Sequence, residues 1–142
     1  ESQLLELLSN GSQGKRLGYL RTVPGVGFLT AATYMLELFR PERFKNTRQV
    51  ASYLGLAPMV RHSGDRSPRG KIAPVGQSGL RSLLIEASWV WKRRDAYAAK
   101  LYNRILSQTG IAQKAIVAVA RRLAIILWRL AVEARGYRAD YV

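Results

Sequence analysis

The stretch Val23-Pro24-Gly25-Val26-Gly27-Phe28-Leu29-Thr30-Ala31-Ala32-Thr33-Tyr34-Met35-Leu36-Glu37-Leu38 decides the fold class. It opens apolar-Pro-Gly-apolar-Gly, a turn signature. The proline ring stiffens the entry, and glycine admits backbone conformations closed to other residues. Phe28–Leu38 then reads as a helix, and Lys15 to Thr22 suit one or two basic helical turns leading in. A helix starting at such a turn points free N–H groups at solvent, which makes a preformed anion site.

Outward from this pair, the rest of the chain also reads as helix, so the expected fold is mainly α. Glu1–Leu8 places Leu4, Leu5 and Leu8 on one side and reads as the end of an upstream helix. Asn10-Gly11-Ser12-Gln13-Gly14 suits a helix C-cap or flexible linker, which sets residues 1–14 apart from a domain at 15–142. After a connector at Phe39–Phe44, Asn46 or Thr47 can cap a helix over Arg48–Leu54 that Gly55 ends. Ser78 can cap the next, which carries Leu80, Leu83, Leu84, Ala87 and Trp91 on one face and runs to about Arg94. Ala96–Ser107 follows, and Gly110 separates it from the longest helix. There Ala112, Ile116, Val119, Leu123, Ile126, Leu127 and Leu130 recur at helical spacing, with Lys114, Arg121, Arg122 and Arg129 on the other side. Trp89, Trp91 and Trp128 suit core or subunit contacts. The apolar faces around Trp89 and Leu127 would permit self-association.

Composition narrows the function classes. The chain has 142 residues, and its 48% hydrophobic content is incompatible with wholesale disorder. The 23 Lys and Arg against 9 Asp and Glu give a net charge of +14. Such a field favours polyanions, nucleic acid first and an anionic membrane surface second. With no cysteine, disulfides and thiolate metal sites are excluded, and a single histidine argues against a histidine-based metal site. No signal peptide is visible, and the Ile111–Val132 run carries four cations, so it does not read as membrane-spanning. The chain reads as intracellular.

The segment Pro58–Arg81 is too long and polar to be a mere connector, since loops beyond about a dozen residues are usually functional or disordered. Its Met59-Val60 start and Lys71-Ile72-Ala73 end suit a short β-hairpin. Within it Arg61, His62, Arg66, Arg69 and Lys71 surround the hydroxyl of Ser63. A serine is a weak nucleophile that needs a base or metal, while a pentavalent phosphate needs its extra charge neutralised. Arg61, Arg66, Arg69, Lys71 and Arg81 can neutralise it, arginine preferentially because its fork matches two phosphate oxygens. His62 is a base or a phosphate contact, and Asp65 could hold an arginine. Ser67 and Ser78 are rival hydroxyls. The Val23–Gly27 turn is similar to the helix-hairpin-helix motif, which grips nucleic-acid backbone without reading bases. Its backbone contacts would come from Val23, Gly25, Val26 and Gly27, and the alternative is a tight turn that binds nothing.

Several motifs together resemble one family. They are Leu20-Arg21-Thr22-Val23-Pro24-Gly25-Val26-Gly27, then Phe44 with Arg48–Pro58, then Ser63-Gly64, Gly70-Lys71-Ile72, Gly76 and Leu80-Arg81. Over roughly Tyr19 to Arg135 their order and spacing resemble the C-terminal domain of the bridge-RNA-guided insertion-sequence transposases of the IS-110 type, which include Piv-type pilin-gene invertases. The resemblance implies a serine nucleophile, Ser63, and DNA strand exchange through a phosphoserine link. It also implies a RuvC-like domain whose four acidic residues hold Mg2+, the two domains meeting from different subunits. A guide RNA would pair with the DNA, and the full-length protein would be a homo-oligomer, dimer or tetramer, in the bacterial cytoplasm at the nucleoid. The acidic domain has no counterpart in these 142 residues, so no cofactor is expected here and isolated activity is not expected. Where the family often has a lysine before the second glycine of the Lys-Ile…Gly stretch, this chain has Pro74-Val75. The rival to a transposase domain is a non-catalytic helix-hairpin-helix DNA-binding module.

Overall fold

Six helices make up the regular structure of the computed structural model, which describes residues 11–38, 43–56 and 75–138. They are α1 (Gly11–Leu20), α2 (Phe28–Leu38), α3 (Thr47–Tyr53), α4 (Val75–Arg94), α5 (Ala96–Thr109) and α6 (Ala112–Glu133). Among the described residues there is no strand, so the mainly α expectation holds. The Glu1–Leu8 helix, the Met59-Val60 and Lys71–Ala73 strands and the Ser63 loop lie outside the described residues.

Local chemistry sets most helix ends. Asn46 caps α3 by accepting from Gln49 N at 3.0 Å, while Gln49 reaches back to Lys45 N at 2.7 Å. The same helix stops in a Schellman turn: Gly55 takes φ 72°, and Leu56 N donates to Ala51 O at 2.9 Å. Asp95 caps α5 by accepting from Ala98 N at 3.1 Å. Gly110 closes that helix at φ 71°, its N–H donating to Leu106 O.

Two expected boundaries are corrected. Gly11–Gly14 is not a break but the first turn of α1; glycine costs about 1 kcal/mol in a helix, which packing against α2 and α6 overrides. Ser78 is not a cap, because α4 already begins at Val75. A serine cap contributes only about 1 kcal/mol, too little to hold a boundary that three further helical residues extend.

Helix α6 is the hub, packing against α1, α3, α4 and α5. Its stripe of Ile116, Val119, Ala120, Leu123, Ile126, Leu127 and Leu130 is almost wholly buried. A wide apolar stripe is what a helix flanked on several sides requires. Tyr34 of α2 reaches this hub and donates its buried hydroxyl to Ala124 O at 2.5 Å. Trp91 is fully buried, and Trp89 and Trp128 pack half-buried against the core.

The charged face expected on α6 divides. Lys114 and Arg129 are exposed, but Arg121 and Arg122 are partly buried, and Arg122 Nε donates to the Tyr97 hydroxyl at 2.9 Å. Leu127 is 0% exposed, so it belongs to the core and not to a face for self-association. Among the described residues no helix is long and apolar enough to cross a membrane.

Candidate nucleic-acid interface

The connection between α1 and α2 is built around one β-turn. Val26 N donates to Val23 O at 3.0 Å, with Pro24 second and Gly25 third in the turn, Gly25 at φ 97°. This is a type II turn, whose third position demands positive φ. Glycine is required there for a second reason. A Cβ on Gly25 would lie 2.7 Å from Ala87 O, 3.0 Å from Val90 Cβ and 3.2 Å from Trp91 N, so the turn is pressed onto the backbone of α4.

The four hairpin residues expected to touch nucleic-acid backbone therefore differ in placement. Val23 and Val26 bury their side chains in the core, and their N–H groups donate to Leu20 O and Val23 O within the turn. Gly25 faces α4. Gly27 is exposed with open space around its missing Cβ, and its carbonyl accepts from Ala31 N at 3.0 Å, the first bond of α2. Gly27 is thus the N-cap of α2, and the amides of Phe28, Leu29 and Thr30 precede the helical ladder. The end of the turn that fronts solvent is Gly27 with the start of α2, where Leu29 is also exposed.

A second set of contacts fastens this turn from behind. The Thr22 hydroxyl donates to Tyr19 O at 2.6 Å and accepts from Tyr137 N at 2.7 Å. The Tyr137 ring meets Trp91 edge-on at 6.1 Å, and its hydroxyl donates to Asp95 Oδ2 at 2.6 Å. Burial first, then the hydrogen bond to Asp95 and its negative charge, push the Tyr137 phenol far above its ordinary range. Asp95 is the buried acid of the described residues, held by Ala98 N and Tyr137. Sequence reasoning missed Asp95 and Tyr137, and quoted Thr22 without giving it a role. The Asp95 cap was legible as an acid ahead of a helix, but no pattern announces the pairing of Thr22 with Tyr137 across 115 positions.

Among the other expected site residues, Arg81 is exposed on α4. It precedes Ala87 by six residues, about 9 Å along the helix axis. Arg61, His62, Ser63, Arg66, Arg69 and Lys71 lie outside the described residues. Among the described residues no three His, Cys, Asp or Glu side chains gather as metal ligands.

Comparison with known proteins places this helical array. The family model described as "Transposase IS116/IS110/IS902 family" matches residues 17–103, from within α1 through most of α5. The chain is similar to protein y4qE of Sinorhizobium fredii, with 30% identity over 95% of this chain and 41% of the relative. It is 29% identical to the transposase for insertion sequence element IS1111A of Coxiella burnetii, over 84% of this chain and 34% of the relative. It is 27% identical to the pilin gene-inverting protein of Moraxella bovis, over 86% of this chain and 38% of the relative. The chain therefore spans only about two-fifths or less of the length of these curated relatives. Because the family match runs through the Val23–Gly27 turn, the α4 wall behind it and most of the α5 corner, the chain belongs to the IS116/IS110/IS902 transposase family.

Proposed function

We propose that this chain is the part of a DNA transposase or recombinase that supplies a serine nucleophile, Ser63, for strand cleavage and exchange. The observation that carries the reading is the family match, which contains Ser63-Gly64 and the cations around it. A relative named as a gene-inverting protein fits strand exchange better than simple hydrolysis. In the proposed step Ser63 Oγ attacks a backbone phosphorus and gives its proton to a base. The phosphorus–oxygen bond of the strand breaks, freeing a deoxyribose hydroxyl that takes up a proton. The phosphoserine keeps the phosphodiester's energy, so a hydroxyl of a second strand can reverse the step and rejoin DNA. Arg61, Arg66, Arg69, Lys71 and Arg81 would neutralise the pentavalent phosphate, with His62 as base or further contact.

Duplex backbone would rest on the hairpin at Gly27 and the start of α2. Mg2+ is proposed on the four acidic residues of a RuvC-like domain outside these residues, from the same or a neighbouring subunit of a homo-oligomer. The described residues offer no ligand set that fits it. A guide RNA would choose the DNA sites, and the proposed location is the bacterial cytoplasm at the nucleoid.

The test uses the full-length parent with a nicked suicide substrate. Wild type should leave a protein–DNA adduct that Ser63→Ala abolishes. Adduct formation by Ser63→Ala would sink the serine assignment. No adduct from wild type, with Ser63→Ala altering only salt-sensitive DNA affinity, would establish the rival binding module.

A further inference from the structure

We infer that Arg43 is a phosphate contact for DNA, held ready by the rings of Phe44 and Tyr53 and by the last turn of α2. This role rests on the reading that the chain holds DNA, but on neither Ser63 nor the Val23–Gly27 hairpin. Arg43 is exposed and yet fixed. Its guanidinium carbon lies 4.5 Å from the Phe44 ring centroid and 5.0 Å from that of Tyr53, and the two rings are 5.4 Å apart. Arg43 Nε donates to Leu38 O at 3.2 Å, and the Tyr53 hydroxyl donates to Glu37 O at 3.1 Å. Two of the four carbonyls that end α2 without a helical partner are thus taken by side chains that meet over the Tyr53 ring.

Closing α2 uses the Nε donor alone and leaves the Nη fork of the guanidinium unspent. Among the described residues no ion pair involves Arg43. Glu37, which precedes it there, is not paired with it, and Glu42 lies outside the described residues. From Arg43 to Leu54 the chain carries two further cations, Lys45 and Arg48, both exposed, and no acid. Two other arginines held through Nε differ: Arg122 is partly buried against the Tyr97 hydroxyl, and Arg135 is paired with Glu133. A helix cap alone leaves an exposed, unpaired fork unexplained. An exposed arginine ordinarily gives up rotamer freedom when it binds, whereas the two rings and Leu38 O restrict this one in advance. Its planar fork takes two oxygens of one phosphate, and membership of a transposase family makes DNA the source of that phosphate. Leu38 and Gly27 stand at opposite ends of the 11-residue α2, about 16 Å apart along its axis, so this contact is separate from the hairpin.

The test is duplex affinity over a salt series, measured with this chain and a fluorescent DNA duplex. Arg43→Gln should lower affinity several-fold and reduce the salt slope by about 0.9, the share of one phosphate. Arg43→Lys keeps the charge without the fork or the Nε bond, and should lower affinity about twofold or more at the wild-type slope. Phe44→Leu removes one ring from under the guanidinium. It should weaken binding, add nothing in the Arg43→Gln background, and be rescued by Phe44→Tyr. Strictly additive effects of Phe44→Leu and Arg43→Gln would overturn positioning by the rings. A lower melting temperature in Arg43→Gln with an unchanged slope would make Arg43 a helix cap and nothing more. If Arg43→Gln does not fold, Arg43→Lys decides, and wild-type affinity in it overturns the positioned fork. Wild-type affinity and slope in Arg43→Gln remove this contact and leave the DNA reading standing. Absence of salt-dependent duplex binding by the wild type removes both.

Discussion

Among the described residues Gly25, Gly55 and Gly110 have positive φ, and the connections that hold the first and the last are built to different ends. Gly25, between α1 and α2, has φ 97°, and Gly110, between α5 and α6, has φ 71°. Around Gly110 a Cβ would meet nothing within 4 Å, whereas at Gly25 it would strike the Ala87 carbonyl at 2.7 Å. Gly110 is a helix stop standing in solvent, needed only for its backbone conformation. Gly25 is a turn residue and a docking point at once. The same residue type with the same sign of φ therefore marks an ordinary corner in one place and a fastened turn in the other. The fastened one presents the α2 N-terminus that the proposed function uses.

Substitution breaks the comparison most directly. Gly25→Ala combines left-handed strain with collision against backbone and should cost about 3–5 kcal/mol in urea unfolding. Loss equal to that of Gly110→Ala would mean the turn is not docked. Tyr34 sharpens the docked side, because it carries α2, which the turn opens, onto α6. Tyr34→Phe removes the bond to Ala124 O and should cost about 1–1.5 kcal/mol. Burial raises the Tyr34 pKa well above 10.0, so the fold favours the neutral phenol. Its stability contribution is complete below pH 10.0 and is lost as pH rises toward the raised value. Wild type should therefore lose stability above that pH more steeply than Tyr34→Phe, and parallel curves would contradict it.

The undocked side carries smaller effects. Gly110→Ala should cost about 1–2 kcal/mol, the left-handed penalty alone. The smallest expected effect is a gain. Ala134 closes α6 at φ 57°, a conformation glycine takes without strain. Ala134→Gly should raise stability by up to about 1 kcal/mol, the relief being offset in part by the greater freedom of glycine when unfolded. A loss of stability on calorimetry would show that the left-handed residue is not strained.

The elements were largely legible and their boundaries less so. Pro24-Gly25 announced the turn because proline and glycine restrict or release φ wherever they stand, and Asn46 and Gly55 marked the ends of α3 for similar local reasons. Gly11–Gly14 and Ser78 misled because they are weak signals that tertiary packing and helix extension outweigh. The α6 face misled differently. Spacing separates Arg121 and Arg122 from the apolar stripe, but it cannot foresee that Tyr97 of α5 covers part of the other side and takes the Arg122 donor. At the candidate site, Gly27 and the start of α2 followed from the turn. Thr22, Asp95 and Tyr137 did not, since a hydrogen bond between residues 115 apart leaves no periodic trace. Ser63 and its cations, outside the described residues, are known only from their order in the chain.

The sequence by itself determined the helical class, the type of turn at Pro24-Gly25 and the net charge of +14 that favours a polyanion. These are properties of residues and their near neighbours, fixed by sterics and charge wherever the chain goes. Only the tertiary structure decided which of the turn residues face solvent. It did so by pressing Gly25 against Ala87, burying Val23 and Val26, and tying Thr22 to Tyr137. Those contacts join α1, α4, α5 and the segment after α6, and exist only once α6 has gathered the other helices around one core.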